Sequence, residues 1–385
     1  MSQENSQKLC FQIASRFCFP RLSGTQGEIE AQNLAVKLFQ QLGLLPKEEE
    51  FQASYLMINF LARIALFPWG VFLILAGIFY QHRYPLSSLS FSFLGMSLGL
   101  GFSLYAQSSP RFLGWRKKHW SKNIFVQISS PTPKQDILVL AHYDSKSQVF
   151  SGWLRILIYY LGGILSLLGN GAGIYLGLRL LTGEGYVSWG VVIFLFPALV
   201  DLLPLFNRTS NLSPGAVDNA GAVGVIFALA KEFKALSLKK TRLWLVLTGA
   251  EELGLIGARN FLERHQKELD PQKTYVINLD GLGSGYKICA LARLGFPGRK
   301  TSSALNQKIS QLALKRALAF RLIKASIGFS TDAQPFLKKG YQAVSLGCLG
   351  RWIHTCNDRL DKLIVQNLSD YYQLIKDLIL WLDQN

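Results

Sequence analysis

Two histidines and a set of carboxylates stand at the ends of apolar runs, at positions that suit metal chemistry. They are His142 and Asp144 in AHYDS, Asp218 in VDN, Glu251 and Glu252 in TGAEE, Asp280 in NLDG, and His354 and Asp358 in IHTCND. Imidazole with carboxylate is the donor set of a borderline divalent cation such as Zn²⁺, and the five segments together have the chemistry of a two-metal site. Taken singly each signal is weak, because an aspartate after a strand is often only a helix cap or turn former. Histidine is rare, however, at five in the chain. The adjacent pair Glu251 and Glu252 is more telling. One side chain can ligate while its neighbour faces a bound water, whereas two uncoordinated like charges would repel and seek separate exposure.

These residues need a framework that gathers strand ends. DILVLAHYD reads as a buried strand with polar residues at its C-terminal end, and NLSPGAVDNAGAVGVIFALAKEF places Asp218 before a Gly/Ala-rich helix. TRLWLVLTGAEELGLIGARNFLERH reads strand, turn, helix; TYVINLDGLG, YKICALARL and YQAVSLGCLG read as strands. Amphipathic helices are expected near residues 22–44, in SSALNQKISQLALKRALAF and in SDYYQLIKDLILWLD, with Lys47 to Glu50 as a charged linker. Strand and helix units alternating over short connections predict an α/β fold, a mostly parallel mixed sheet with flanking helices. Polar residues at strand C-termini are where ligands bind in such sheets. His265, in LERHQKE, reads as solvated surface.

Composition adds a second expectation. Apolar and aromatic residues make up 49% of the 385 residues and charged residues only 17%, against roughly a quarter in ordinary soluble domains. Four apolar runs, near 62–80, 86–106, 156–178 and 187–206, approach the ~20 residues that cross a bilayer as a helix. They predict two transmembrane helical hairpins interrupting the α/β domain: residues 1–53 its N-terminal part, 54–107 the first hairpin, 108–150 catalytic strands, 151–208 the second hairpin, and 209–385 the remainder. Asp201 is expected at the membrane interface. Ligands on both sides of the second hairpin can meet only if the crossings between them are even in number. Arg63, Arg111, Arg116, Lys117, Lys118, Arg155 and Arg208 on the domain side outnumber Arg83 and Arg179 opposite, which predicts a multi-pass protein of the inner membrane with its catalytic domain facing the cytoplasm. The lipid bilayer is then a partner, and it accounts for the net charge of +17 better than nucleic acid, for which there is no motif. The N-terminus has no apolar h-region followed by a cleavage site. The five cysteines form no CxxC pair, and Cys348 and Cys356, near His354, are expected as free thiols.

The motifs, taken in order, resemble the M28 family of zinc aminopeptidases: HYD at 142–144, DN at 218–219, EELGLIG at 251–257, NLD at 278–280 and HTCND at 354–358. RLSGTQGE at 21–28 is similar to that family's N-terminal segment and TDAQPF at 331–336 to the segment before its last ligand. The resemblance covers most of the chain outside the apolar runs, which occupy connections that are usually much shorter, and it implies a membrane-embedded member with a zinc-exopeptidase-like sheet. It further implies two zinc ions bridged by Asp218, one also held by His142 and Asp280, the other by Glu252 and His354. Glu251 would be the general base, with Asp144 beside it in the catalytic set orienting His142. Asp358 would orient His354, and Asp332 would be a weaker supporting residue. The implied reaction is hydrolysis of an N-terminal peptide bond by metal-activated water. The alternatives are a carboxypeptidase, a glutaminyl cyclase, or a noncatalytic membrane scaffold. The substrate is expected to be a peptide; oligomeric state is not legible.

Overall fold

The computed structural model describes the chain apart from residues 1–2, 57, 59–61, 109–117, 296–297, 325–328 and 348–349, with backbone alone at 102–108. In chain order the elements are α1 (Gln3–Phe17), α2 (Gln26–Gln41), β1 (Lys47–Ser54), α3 (Phe67–Gln81), α4 (Pro85–Ser108), β2 (Lys118–Ser129), β3 (Gln135–His142), β4 (Ser147–Gln148), α5 (Gly152–Leu181), α6 (Gly190–Leu202), β5 (Thr209–Ser210), α7 (Gly221–Lys234), β6 (Thr241–Thr248), α8 (Ile256–His265), β7 (Thr274–Leu279), β8 (Ile288–Leu291), β9 (Arg293–Leu294), β10 (Arg299–Lys300), α9 (Ser303–Lys315), β11 (Phe320–Ile323), α10 (Ala333–Lys338), β12 (Gln342–Leu346) and α11 (Val365–Gln384). They divide into two compact units: Met1–Ala53 with Lys118–Ser147 and Ser210–Asn385, and Ser54–Lys117 with Gln148–Thr209.

The first unit is built on an eight-stranded sheet in the order β1-β2-β6-β3-β7-β12-β8-β11. β6, β3, β7 and β12 run parallel at its centre, while β2 joins β6 antiparallel and β12 meets β8 antiparallel. A parallel strand covered on both faces must be apolar on both, and β3 is: Ile137, Val139 and Ala141 enter one core, Leu138 and Leu140 the other. α7 is buried along almost its whole length. Its small residues let another helix approach, since a Cβ at Gly224 would lie 2.3 Å from the carbonyl oxygen of Cys10 on α1. Phe227 packs against Phe17 and Phe39 on the same side.

Two local expectations are corrected here, and residues 3–17, for which the sequence reading named no element, form a helix. Residues 47–54 form an edge strand rather than a linker. His265 is not solvated. Its ring packs against Phe261, Trp244 and Phe125, and its nitrogens face Glu49 and Glu268, so it ties α8 to the edge strand.

The second unit packs α3, α4, α5 and α6 together, with Leu73, Ala76, Tyr80, Leu176, Phe194 and Ala198 buried between them. Glycines make the close contacts: Gly77 and Gly173 against Phe194, Gly95 against Asn170, Gly70 against Asp201. Asp201, expected at a membrane interface, is fully buried among these helices and accepts the Ser166 hydroxyl at 2.6 Å.

The two expected transmembrane hairpins are corrected. Among the described residues one helix, Gly152–Leu181, is long and apolar enough to cross a bilayer. Phe67–Gln81 and Gly190–Leu202 have 15 and 13 residues, short of the ~20 a crossing needs, and α4 is interrupted by serine and glycine throughout. The apolar content instead serves the contacts within this unit and an exposed apolar surface that includes Leu157, Ile164, Leu168, Trp189 and Phe196. Without paired spans the membrane-embedded assignment, the lipid bilayer as partner, and the multi-pass inner-membrane localisation with a cytoplasmic domain lose their basis. Arg111, Arg116 and Lys117 of the charge asymmetry, and Cys348, lie outside the described residues; Cys356 is a free thiol.

One buried acid links this framework to pH. Glu28 at the start of α2 accepts the Ser23 and Ser121 hydroxyls and the Gly24 N–H. Burial nevertheless pushes its carboxyl from 4.5 up to about 7. A carboxyl that holds its proton more tightly when folded contributes stability below about pH 4.5 that is lost as pH rises through 7. Urea denaturation between pH 5 and 8 is expected to show stability falling with pH, by up to about 3 kcal/mol from this group. Glu28→Gln should flatten that slope, and an unchanged slope would refute the assignment.

Candidate metal centre

The central parallel strands deliver their C-terminal ends to one edge. β3 ends on His142, which pairs in register with Thr248, the last residue of β6. Glu251 and Glu252 therefore follow one turn beyond the same edge, and Asp280 follows Leu279, where β7 ends beside β3. The turn after β6 needs Ala250 at φ 50°, and the loop after β12 holds His354 at φ 64°. Each is a left-handed conformation that a residue with a Cβ adopts at a cost of order 1 kcal/mol. Asp218 reaches the edge from the segment before α7, with backbone torsions of −120° and 83°.

The side chains converge in two groups that share one carboxylate. His142 Nε2 lies 3.1 Å from Asp218 Oδ1 and 3.7 Å from Asp280 Oδ1; His354 Nε2 lies 3.1 Å from Asp218 Oδ2 and 3.1 Å from Glu252 Oε2. Within each group, one candidate ligand atom from each of the three residues lies within 4.8 Å of the others. Asp218 thus presents a different oxygen to each imidazole.

The supporting residues act mostly through backbone. Asp144, fully buried, places Oδ1 3.5 Å from His142 Nδ1 and accepts the N–H groups of Glu251 and Glu252. It therefore fixes one ligand ring and the turn carrying the glutamates. Asp358 accepts the N–H groups of Val217 and Asp218 at 2.8 and 3.1 Å, which ties it to the backbone that carries Asp218. Asp332 accepts the Thr248 hydroxyl through one oxygen, and burial pushes it up to about 7.

Two residues to which the sequence assigned no role complete the site. Lys146 donates to Glu252 Oε2 at 2.6 Å; its signal was a cation two residues beyond Asp144 at the same strand exit. Arg21 is completely buried and donates to the carbonyls of Tyr143, Pro214 and Gly215.

The electrostatics call for positive charge. Burial would raise Glu252, but His354 and Lys146 hold it down at about 2. Burial likewise opposes ionisation of Asp218, and the two imidazoles hold it well below the usual carboxylate range. Glu251 belongs to neither group; burial, with Glu252, Asp280 and Asp332 nearby, lifts it well above the ordinary value against the pull of His142. Glu252 Oε1 is buried with no hydrogen-bond partner among the described residues. Crowded carboxylates, two imidazoles and an open carboxylate oxygen fit a pair of divalent cations of borderline softness.

With this geometry in hand, the likeness to known proteins can be placed. Residues 193–379 match the model of peptidase family M28. The alkaline phosphatase isozyme conversion protein of Escherichia coli (strain K12) is 33% identical over 144 residues, 37% of this chain and 36% of that protein. The chain spans about a third of the length of the curated relatives it matches. The aminopeptidase from Aneurinibacillus sp. strain AM-1 has a similar fold, with TM-score 0.57 and 14% identity over 98% of this chain and 93% of that one. A glutaminyl cyclase from an Acidobacteriales bacterium gives TM-score 0.57 and 13% identity over 98% and 95%. The fold is that of M28-type zinc peptidases and their structural relatives, with two candidate metal-binding groups in it.

Lys146 holds the Glu252 oxygen that lies 3.1 Å from His354 Nε2, beside the place a cation held by Asp218, Glu252 and His354 would take. Lys146→Met keeps the aliphatic stem and removes the charge. It is expected to tighten divalent-ion binding there by about tenfold, or ~1.4 kcal/mol, in competition titrations against a chromophoric chelator. Unchanged or weaker binding would show that the ammonium does not compete.

Proposed function

We propose that this protein is a zinc-dependent aminopeptidase that hydrolyses N-terminal peptide bonds. The observation that carries the reading is the Asp218 carboxylate, one oxygen to each of two three-residue groups. The M28 match over residues 193–379 supports the same reaction class.

His142, Asp218 and Asp280 would hold one ion, and Asp218, Glu252 and His354 the other. When bound, the pair supplies Lewis acidity toward the scissile carbonyl and a water acidified to near neutral pH. Glu251 is the chain's own proton carrier. It is buried beside Glu252 and is not needed as a ligand. As the water oxygen bonds to the carbonyl carbon, Glu251 takes its proton; as the C–N bond breaks, Glu251 delivers a proton to the departing amine. Asp144 keeps His142 in one tautomer and holds the N–H groups of both glutamates. Asp358 holds the backbone of Asp218, and Asp332 supports the wall through Thr248.

Mass-spectrometric analysis of a mixed peptide library tests this with zinc-loaded protein and its Glu251→Gln variant. Wild type should remove N-terminal residues stepwise, and the variant should lose about 100-fold or more in turnover while retaining both ions. C-terminal trimming would reassign the protein as a carboxypeptidase, and loss of ammonia from N-terminal glutamine as a glutaminyl cyclase. A fully active variant would sink the mechanism. Asp218→Asn should lower the content of both ions by elemental analysis; loss of one alone would refute the shared carboxylate.

A further inference from the structure

We infer that Arg21 is a positioning residue of the metal centre, holding in register the two chain segments between which residues 148–209 are inserted. The inference rests on the proposed reading of the cluster as a metal site.

His142 and Asp144 precede the insertion and Asp218 follows it, so no short connection sets their separation. Arg21 ties the two segments together directly. Its Nε donates to the carbonyl of Tyr143, the residue between His142 and Asp144. Its Nη1 donates to Pro214 and Phe19, and its Nη2 to Gly215, three residues before Asp218. The main chain reinforces this. Arg21 N–H donates to Ser145 Oγ at 3.2 Å, Ser145 N–H donates to the Arg21 carbonyl at 3.3 Å, and the Ser145 hydroxyl donates to the Ser213 carbonyl at 3.0 Å.

Only a guanidinium suits the place. A planar fork with five N–H donors can serve carbonyls in several directions at once, while an ammonium offers three donors from a single point. The side chain is completely buried. Its hydrogen-bond partners are neutral carbonyls, and the anions that face its charge are the carboxylates of Asp358, Asp218 and Asp144. The same side chain therefore aligns the segments and carries a charge opposite in sign to those carboxylates. Gly215 shows how little slack remains: at φ 61°, a Cβ there would lie 2.5 Å from the Asp218 carbonyl oxygen, 2.7 Å from Ser145 Cβ and 3.0 Å from Arg21 Nη1.

The test measures zinc affinity by chelator competition on full-length protein, beside circular dichroism and melting temperature. Arg21→Lys is expected to stay folded and bind zinc about 10–100-fold more weakly. Arg21→Ala should regain affinity in millimolar guanidinium chloride but not in equal sodium chloride, a rescue that general destabilisation would not produce. Zinc affinity in Arg21→Lys equal to wild type, or folded Arg21→Ala with no guanidinium rescue, overturns the inference. If neither variant folds, Ser145→Ala removes one tie between the segments; weaker zinc binding supports the inference and unchanged binding overturns it. Failure of wild type itself to bind zinc would instead overturn the proposed function.

Discussion

Like charges crowded around Asp218 are the constraint on which the rest of this structure depends. Asp218, Glu252, Glu251 and Asp144 are buried, and together with the partly exposed Asp280 they crowd around two imidazoles and one ammonium. Carboxylates brought this close in low dielectric repel strongly unless cations or hydrogen-bond donors compensate. Compensation here comes from histidine, Lys146, Arg21 at longer range, and backbone N–H groups directed at Asp144 and Asp358. Few folds can supply so many donors at one point, and a parallel sheet with its strand ends in register is one of them.

That sheet explains why the site tolerates local strain. Ala250 and His354 take left-handed conformations and Gly215 is wedged between neighbours, yet each is anchored by rigid strands or by the Arg21 fork. Long-range ties do what sequence proximity cannot, because the ligands come from segments as distant as residues 142 and 354. The interruption between Ser147 and Ser210 is bridged within the first unit by the Ser147 hydroxyl, which donates to the Ser210 carbonyl and accepts the Leu212 N–H.

The helical unit shows how composition misleads. Its apolar runs carry the hydropathy of membrane spans, but hydropathy does not record helix length, and two of the runs fold into helices of 15 and 13 residues. Its glycines and buried polar groups, among them Asp201, Ser166 and Asn170, serve close helix packing within the unit.

By itself the sequence determined the α/β alternation and the central strands, because apolar runs of strand length are local signals, and it pointed to the candidate ligands as carboxylates and imidazoles at or beyond the ends of such runs. It did not reveal β1, whose charged residues resemble a linker until the sheet gives them a partner. Nor did it reveal that β11 follows α9 as a strand, since Phe320–Ile323 continues an apolar pattern that helix and strand share. Only tertiary structure decided the lengths of the apolar helices, the burial of His265 and the tie of Asp358 to the backbone that carries Asp218. It alone gave roles to Lys146 and Arg21. Each of those depends on which distant groups meet a side chain, and spacing along a chain carries no record of that.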